Sequence, residues 1–481
     1  MEEEAPDLFE EIRERVKEGR WEVVGGTWAE SDTNMPTGES LVRQWLYGKR
    51  YFQEKFGVDV NVGWMPDTFG HPSTLPTIAR GCGLDAYVFF RPWEEARTFR
   101  WRGPDGSEVL GIRPPRWYMV EADGIDAKLG KEALKAGDKT GLDEQLVLVG
   151  VGDHGGGPTR DAIEKAALFD SLEAFPSVKF GRAHDFVARL REKGKVEDVH
   201  EGEVNFVFPG CWTSQGDHKR NNRRAEHELP AAETVAALAS LHGYEVPKPD
   251  LTRAWRLTLL NQFHDLLCGS GIDEIYADAA EQYEEVFEVA RTTRREALAV
   301  LASRIDTASV AREDRALVVW NPLPWKRSDL VEGWVVSDGR PFAVFDEEGR
   351  MLTPPFEETS GATARVSFVA RDVPGCGWRT YRIGPSGTGP AGLRSVHDLS
   401  IQLGFDGEEG LLRSLRAGPE WLSGPGGEAR VFEDRGNAWE LPIEGEGSAL
   451  EGRAAESWAG GGTVSGRREG SSVSQDFEVR D

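Results

Sequence analysis

At 481 residues, with 39% hydrophobic and 10% aromatic side chains, the chain is too long for one compact domain and too apolar to be disordered. Its 82 acidic residues outweigh 57 Lys and Arg, for a net charge of −25, and a surface of that sign excludes nucleic acid and anionic membranes as partners. The four cysteines, Cys82, Cys211, Cys268 and Cys376, are scattered without zinc or disulfide spacing, and no secretory signal or membrane-length apolar run is visible, which fits free thiols in a cytoplasmic enzyme.

Taken in chain order, Leu8, Phe9, Ile12 and Val16 recur at helical spacing and predict a helix over 7–19. Residues 21–26 read as a strand, 39–56 as a helix, 58–65 as a strand and 74–81 as a helix. Ala86–Phe90 and Leu146–Val151 are continuous apolar strands, the kind buried on both faces of a parallel sheet. From about Asp217 to Arg304 the pattern is helical in three blocks, broken near 243–249 and 269–272, which predicts a three-helix bundle. Beyond it, 316–320, 330–336 and 364–369 read as antiparallel strands. The expected organisation is multidomain, α/β then α then β. It comprises a parallel (β/α) barrel-like catalytic domain over 1–216, a three-helix bundle over 217–305 that carries a metal ligand, and an antiparallel β-sandwich over 306–481. The chain opens directly in a helix and stops after an alternating run, 472–480, that should pair with further sequence, so a truncated protein is expected.

Chemistry gathers at strand ends. Trp64-Met65-Pro66-Asp67-Thr68-Phe69-Gly70-His71 ends a strand on an acid, at the rim where α/β folds keep their catalytic groups. A helix cap is the alternative role for Asp67. Arg91 ends the next strand. Gly152-Asp153-His154-Gly155-Gly156-Gly157 follows a third; it lacks a P-loop's Lys-Ser/Thr, so its glycines suit either close backbone approach to a ligand, with Asp153 projecting into a cleft, or a plain turn. Asn261-Gln262-Phe263-His264-Asp265 interrupts an apolar helix, and burying His264 and Asp265 requires partners or a metal. Two carboxylates on different strand ends, together with 16 Trp as sugar-stacking or core residues, suggest glycoside chemistry.

Six ordered motifs carry a resemblance to glycoside hydrolase family 38, the retaining zinc-dependent α-mannosidases of the bacterial and cytosolic class II type. They are Gly25 to Gln44, Pro66-Asp67-Thr68-Phe69-Gly70-His71, Gly152 to Thr159, Trp212-Thr213-Ser214-Gln215, Asn222-Arg223-Arg224-Ala225-Glu226 and Phe263-His264-Asp265. The resemblance implies a terminal α-mannose or oligosaccharide substrate and a covalent glycosyl intermediate on Asp67. It implies Asp153 as acid/base and Zn2+ held by Asp67 and His264. Arg91, Asp265, His71, Trp28 and Asp32 fall to substrate binding. It also admits a homo-oligomer, and a mannosylglycerate-type hydrolase as an alternative. Two departures stand out. His154 occupies a position that many members give to Gly, and the family's His-x-Asp zinc pair occurs nowhere in the chain. The expectation is therefore weak zinc binding and little activity, or a sugar-binding protein that has lost its metal. A metal-dependent deacetylase would need a His-x-x-x-His pair, which His71 cannot supply.

Overall fold

The computed structural model describes residues 1–385 except 94–95, 154–155, 206, 308–309, 311–313, 337–341, 353–358 and 361–362, and beyond these the backbone of strands between Ile401 and Glu478. The chain divides into two compact units, Met1–Arg304 and a second that begins at Ile305.

The first unit opens with α1 (Pro6–Lys17) and α2 (Gly38–Phe56). The Thr37 hydroxyl caps α2 by accepting from the Ser40 N–H at 3.3 Å, and Gly57 ends it in the left-handed conformation that a β-carbon disfavours. There follow β1 (Val62–Met65), α3 (Leu75–Gly81), β2 (Ala86–Phe89), β3 (Arg97–Arg102), β4 (Glu108–Arg113), α4 (Ala127–Thr140), α5 (Arg160–Asp170), α6 (Ala183–Lys193) and β5 (Val199–Glu201). The strands form one sheet in the order β1-β2-β4-β3-β5. Tyr87 and Phe89 of β2 point to a core shared with α2 and α3, and Ala86 and Val88 point to a core shared with α6. Burial on both faces explains why β2 is a continuous apolar run.

The expected wholly parallel sheet is instead mixed. Strands β1, β2 and β4 are parallel, but β3 runs antiparallel to β4. The cause is local: Gly103 to Gly106 makes a tight turn, with Gly106 at φ +83° and its N–H on the Gly103 carbonyl at 3.0 Å, and a turn that short can only join antiparallel strands. Two predicted strands also shrink. Residues 21–26 form no strand, because Gly25 and Gly26 both adopt positive φ, leaving one bond from the Gly25 N–H to the Val62 carbonyl. Leu146–Val151 is reduced to single bridges, Val149 with Val120 and Val151 with Gly156.

Helices α7 (Gly216–Ser240), α8 (Lys248–Leu260), α9 (His264–Leu267) and α10 (Asp273–Ala302) complete the unit. Leu229 of α7, Trp255 of α8 and Tyr283, Val286 and Phe287 of α10 share one buried cluster. No helix among the described residues is long and apolar enough to cross a membrane.

In the second unit, β6 (Arg315–Asn321), β7 (Arg327–Val336), β8 (Phe342–Phe345), β9 (Thr359–Ser360), β10 (Thr363–Val373) and β11 (Gly377–Pro385) form two antiparallel sheets, β7-β10-β9 and β6-β11-β8. Phe368 of β10 and Tyr381 of β11 meet in the cluster between them, their rings 4.9 Å apart. In the closing alternating run, Ser471–Glu478 pairs with Gly461–Arg468.

Candidate active site

Register explains why the first two site residues meet. Met65 at the end of β1 pairs with Phe89 at the end of β2, in parallel. Asp67 and Arg91 each lie two residues beyond, so they emerge side by side. The Arg91 guanidinium binds Asp67 Oδ1 through Nε at 2.7 Å and Nη2 at 2.5 Å. Three aromatic rings hold it there: Trp117 at 4.7 Å, Phe208 at 4.8 Å and Phe69 at 5.3 Å. The next helix begins at Leu75, so Asp67 caps nothing.

His264 arrives from the other half of the unit. The predicted unbroken helix through 257–267 is interrupted there: α8 ends at Leu260, and the Gln262 carbonyl accepts the Asp32 N–H at 2.9 Å. A bridge between Ser31 and Phe263 ties this break to the Gly25–Gln44 segment. His264 Nδ1 donates to the Glu30 carbonyl at 2.9 Å, leaving Nε2 facing Asp67 Oδ2 at 3.5 Å and Asp265 Oδ2 at 3.7 Å. Burial opposes protonation of this ring, but the Asp67 carboxylate, Glu30 and Asp265 outweigh it and push its pKa up to about 9. Burial likewise raises Asp67, but His264 and Arg91 overcome it and hold the carboxyl below its ordinary range. The histidine's raised pKa makes its contribution to stability full below the ordinary 6.5 and lost as pH rises through about 9. In metal-free protein, on the order of 2–3 kcal/mol should disappear across that window. Urea midpoints measured from pH 6 to 10 against His264→Gln check this; parallel curves for the two proteins would refute it.

Glu30 is the residue that sequence reading missed. Its carbonyl accepts from both the backbone N–H and Nδ1 of His264, and its carboxylate accepts the Asp67 N–H at 2.8 Å. Burial raises its pKa. An acid between two buried segments of a recognised motif was the available signal. Glu30→Gln retains a carbonyl acceptor for the Asp67 N–H, whereas Glu30→Ala leaves that N–H unpaired. In an active form, Glu30→Ala should lower kcat about 10–100-fold and Glu30→Gln by only a few-fold; equal losses would remove the positioning role.

Asp153 reaches the same cleft on the loop after the Val149–Val120 bridge. Its Oδ1 accepts the Tyr118 hydroxyl, whose own pKa is raised by burial, then by Asp153 and Asp67. Asp67, Arg91, Asp153, Phe208, Phe263 and Asp265 are among the residues that line this cleft of about 620 Å³. His154 lies outside the described residues. The other three candidates are elsewhere. His71 is fully buried against Tyr87, Phe89 and Trp101, and burial pushes its pKa down to about 3, so it is a neutral core residue. Asp32 is buried and accepts the Asn34 and Met35 N–H groups and the Cys268 thiol. Trp28 packs on Tyr51 and beneath Arg256.

Residues 1–208 match the glycosyl hydrolases family 38 N-terminal domain, and 207–301 match the alpha mannosidase middle domain. The chain belongs to glycosyl hydrolase family 38. Among family 38 relatives, it is 35% identical to alpha-mannosidase G of Dictyostelium discoideum over 58% of this chain and 26% of that protein. It is 32% identical to human alpha-mannosidase 2C1 over 68% of this chain and 32% of that one. The chain thus spans about a quarter to a third of these relatives' length. A solved alpha-mannosidase from Enterococcus faecalis V583 shares the fold at TM-score 0.75 and 19% identity, covering 96% of this chain and 60% of its own.

The site's donor set can be tested against the zinc that family 38 resemblance implies. The Nδ1 bond of His264 to a carbonyl is how a ligating histidine is oriented. However, among the described residues no group of three or more His, Cys, Asp or Glu could hold a metal ion, and a catalytic zinc takes about three protein ligands. These residues alone do not fit a complete zinc site.

Proposed function

We propose that this chain carries the nucleophile and acid/base of a retaining α-mannosidase acting on terminal α-linked mannose. The observation that carries the reading is the convergence of Asp67, held ionised by Arg91, and Asp153 on one cleft. Asp67 attacks the anomeric carbon as Asp153 delivers a proton to the departing glycosidic oxygen, giving a mannosyl ester of Asp67 and a free alcohol. Asp153, now a carboxylate, takes a proton from water, whose oxygen displaces Asp67 and releases mannose. Retention requires the two carboxyl groups about 5–5.5 Å apart. In this reading residues 1–216 form a barrel-like catalytic domain, 217–305 a three-helix bundle and 306–481 a β-sandwich, in a cytoplasmic protein.

The direct test is incubation with a fluorinated α-mannosyl fluoride, which slows the second step, followed by peptide mass spectrometry. A mannosyl adduct on Asp67 is expected; labelling elsewhere, or none alongside measurable hydrolysis of an aryl α-mannoside, would overturn the assignment. With two donors, zinc content after dialysis should fall well below one equivalent. A full equivalent would mean that further ligands complete the site. Mannoside binding without turnover, unaffected by chelation, would favour a sugar-binding protein. A putative mannosylglycerate hydrolase of Halalkalibacterium halodurans is 26% identical over 353 residues, which keeps that substrate as the second reading.

A further inference from the structure

Cys211 and Cys268, distant in the sequence, meet behind the wall of the reactive cleft. Both are fully buried in one cluster with Phe69 and Phe208, whose rings meet edge to face at 5.0 Å and also line the cleft. One hydroxyl laces the two backbones together: Ser214 Oγ donates to the Cys268 carbonyl at 2.9 Å and lies 3.4 Å from that of Cys211. The two thiols are themselves hydrogen-bonded. Contacts this close match the reach of a disulfide, whose Cα atoms stand roughly 4.4–6.8 Å apart.

Cysteines that only fill space need no charged neighbours. These have two. The Cys268 thiol donates to the buried Asp32 carboxylate at 3.2 Å. The Lys219 ammonium, donating to the Ser214 carbonyl, acts on both sulfurs and on Asp32. The hydrogen bond with Cys268, aided by Lys219, holds the Cys211 thiol below its ordinary range against the cost of burial. A cation that favours one thiolate and a carboxylate that takes the other proton are what disulfide chemistry uses.

We propose that Cys211 and Cys268 are a reversible redox-modification site, closed to a disulfide by a peroxide and reopened by a dithiol, which pins α9, with His264 and Asp265, to the 208–215 segment. The Cys211 sulfur attacks a peroxide oxygen; the S–O bond forms, the O–O bond breaks and water leaves. The Cys268 sulfur then displaces the sulfenic hydroxyl; the S–S bond forms, the S–O bond breaks, and the Cys268 proton passes through Asp32 to the departing oxygen as a second water. The thiols lose two electrons and two protons, and hydrogen peroxide becomes two waters. The site stands whether or not the cleft hydrolyses a mannoside.

Peroxide treatment of the folded, reduced full chain tests this, followed by alkylation of the remaining thiols and peptide mass spectrometry without reduction. A Cys211–Cys268 cross-link, lighter by the two lost hydrogens and reversed by dithiothreitol, is expected. The cross-linked form should melt about 5 °C higher, because the link closes a long loop of the unfolded chain. Cys211→Ala and, independently, Cys268→Ala should abolish that shift; a shift that persists in either would overturn the assignment. Alkylation of both thiols after peroxide has oxidised the exposed Cys376 would overturn it too. So would sulfinic acid at either position without a cross-link, or a cross-link that forms only in urea. Should a variant fail to fold, the wild-type peptide map alone decides.

Discussion

Asp67→Asn is expected to abolish the mannosyl adduct and to lower kcat on an aryl α-mannoside by on the order of 10⁴-fold, measured in a form of the protein with detectable turnover. The amide is nearly isosteric with the acid but cannot attack the anomeric carbon. It also removes the negative charge that Arg91 and His264 surround. That gives a second readout. Without the Asp67 carboxylate the His264 ring loses the largest of the influences that raise its pKa, so its titration, followed by NMR, should move down from about 9. A variant that keeps its turnover, with His264 titrating as before, would show that Asp67 is neither the nucleophile nor the histidine's partner. A downward shift with turnover intact would keep the geometry and discard the mechanism.

The second large effect is on stability. Glu226→Ala should cost about 3–5 kcal/mol, the range for stripping a buried charge from its partners. The Glu226 carboxylate is buried on α7, and five groups from α2, α7 and the α8–α9 break converge on it. Thr37 donates its N–H at 2.6 Å and its hydroxyl at 3.1 Å, and the Ser40 hydroxyl donates at 2.7 Å. The side-chain amides of Asn222 and Gln262 each donate at 3.3 Å. Arg223 supplies the countercharge at 2.9 Å. Alanine leaves these donors without their acceptor and removes the acid that stabilises the N-terminus of α2. For a unit of this size the loss corresponds to a fall in Tm of about 10 °C. Glu226→Gln keeps an oxygen acceptor and should lose less. A change below about 1 kcal/mol for alanine in urea unfolding would mean that the cluster is solvated in solution. The same network holds Gln262, two residues before His264, so a destabilised Glu226 variant should also loosen the histidine's alignment with Asp67.

Periodicity and strand-end chemistry alone determined much of this protein. The helical spacing of Leu8, Phe9 and Ile12 and the apolar run of Ala86–Phe90 emerge as α1 and β2, because each pattern reports which faces are buried. Asp67 and Arg91 could be singled out because neighbouring parallel strands deliver the residues just past their carboxyl ends to one rim. Strands β3 and β4 were legible too: Phe99 and Trp101 alternate with arginines before a Gly-Pro-Asp-Gly turn, a hairpin signal that the parallel-sheet expectation passed over. Only tertiary structure decided the rest. The Gly70-His71 step suggested a polar group at the rim, but His71 is buried among aromatic rings, and Asp32 caps a turn away from the cleft. The partnership of His264 with Asp67 runs through Glu30, whose carbonyl orients one and whose carboxylate holds the other. A sequence pattern records which side of a helix or strand is buried. It holds no trace of which distant backbone carbonyl will meet an imidazole, because that contact exists only after the sheet and the α8–α9 break have been brought together.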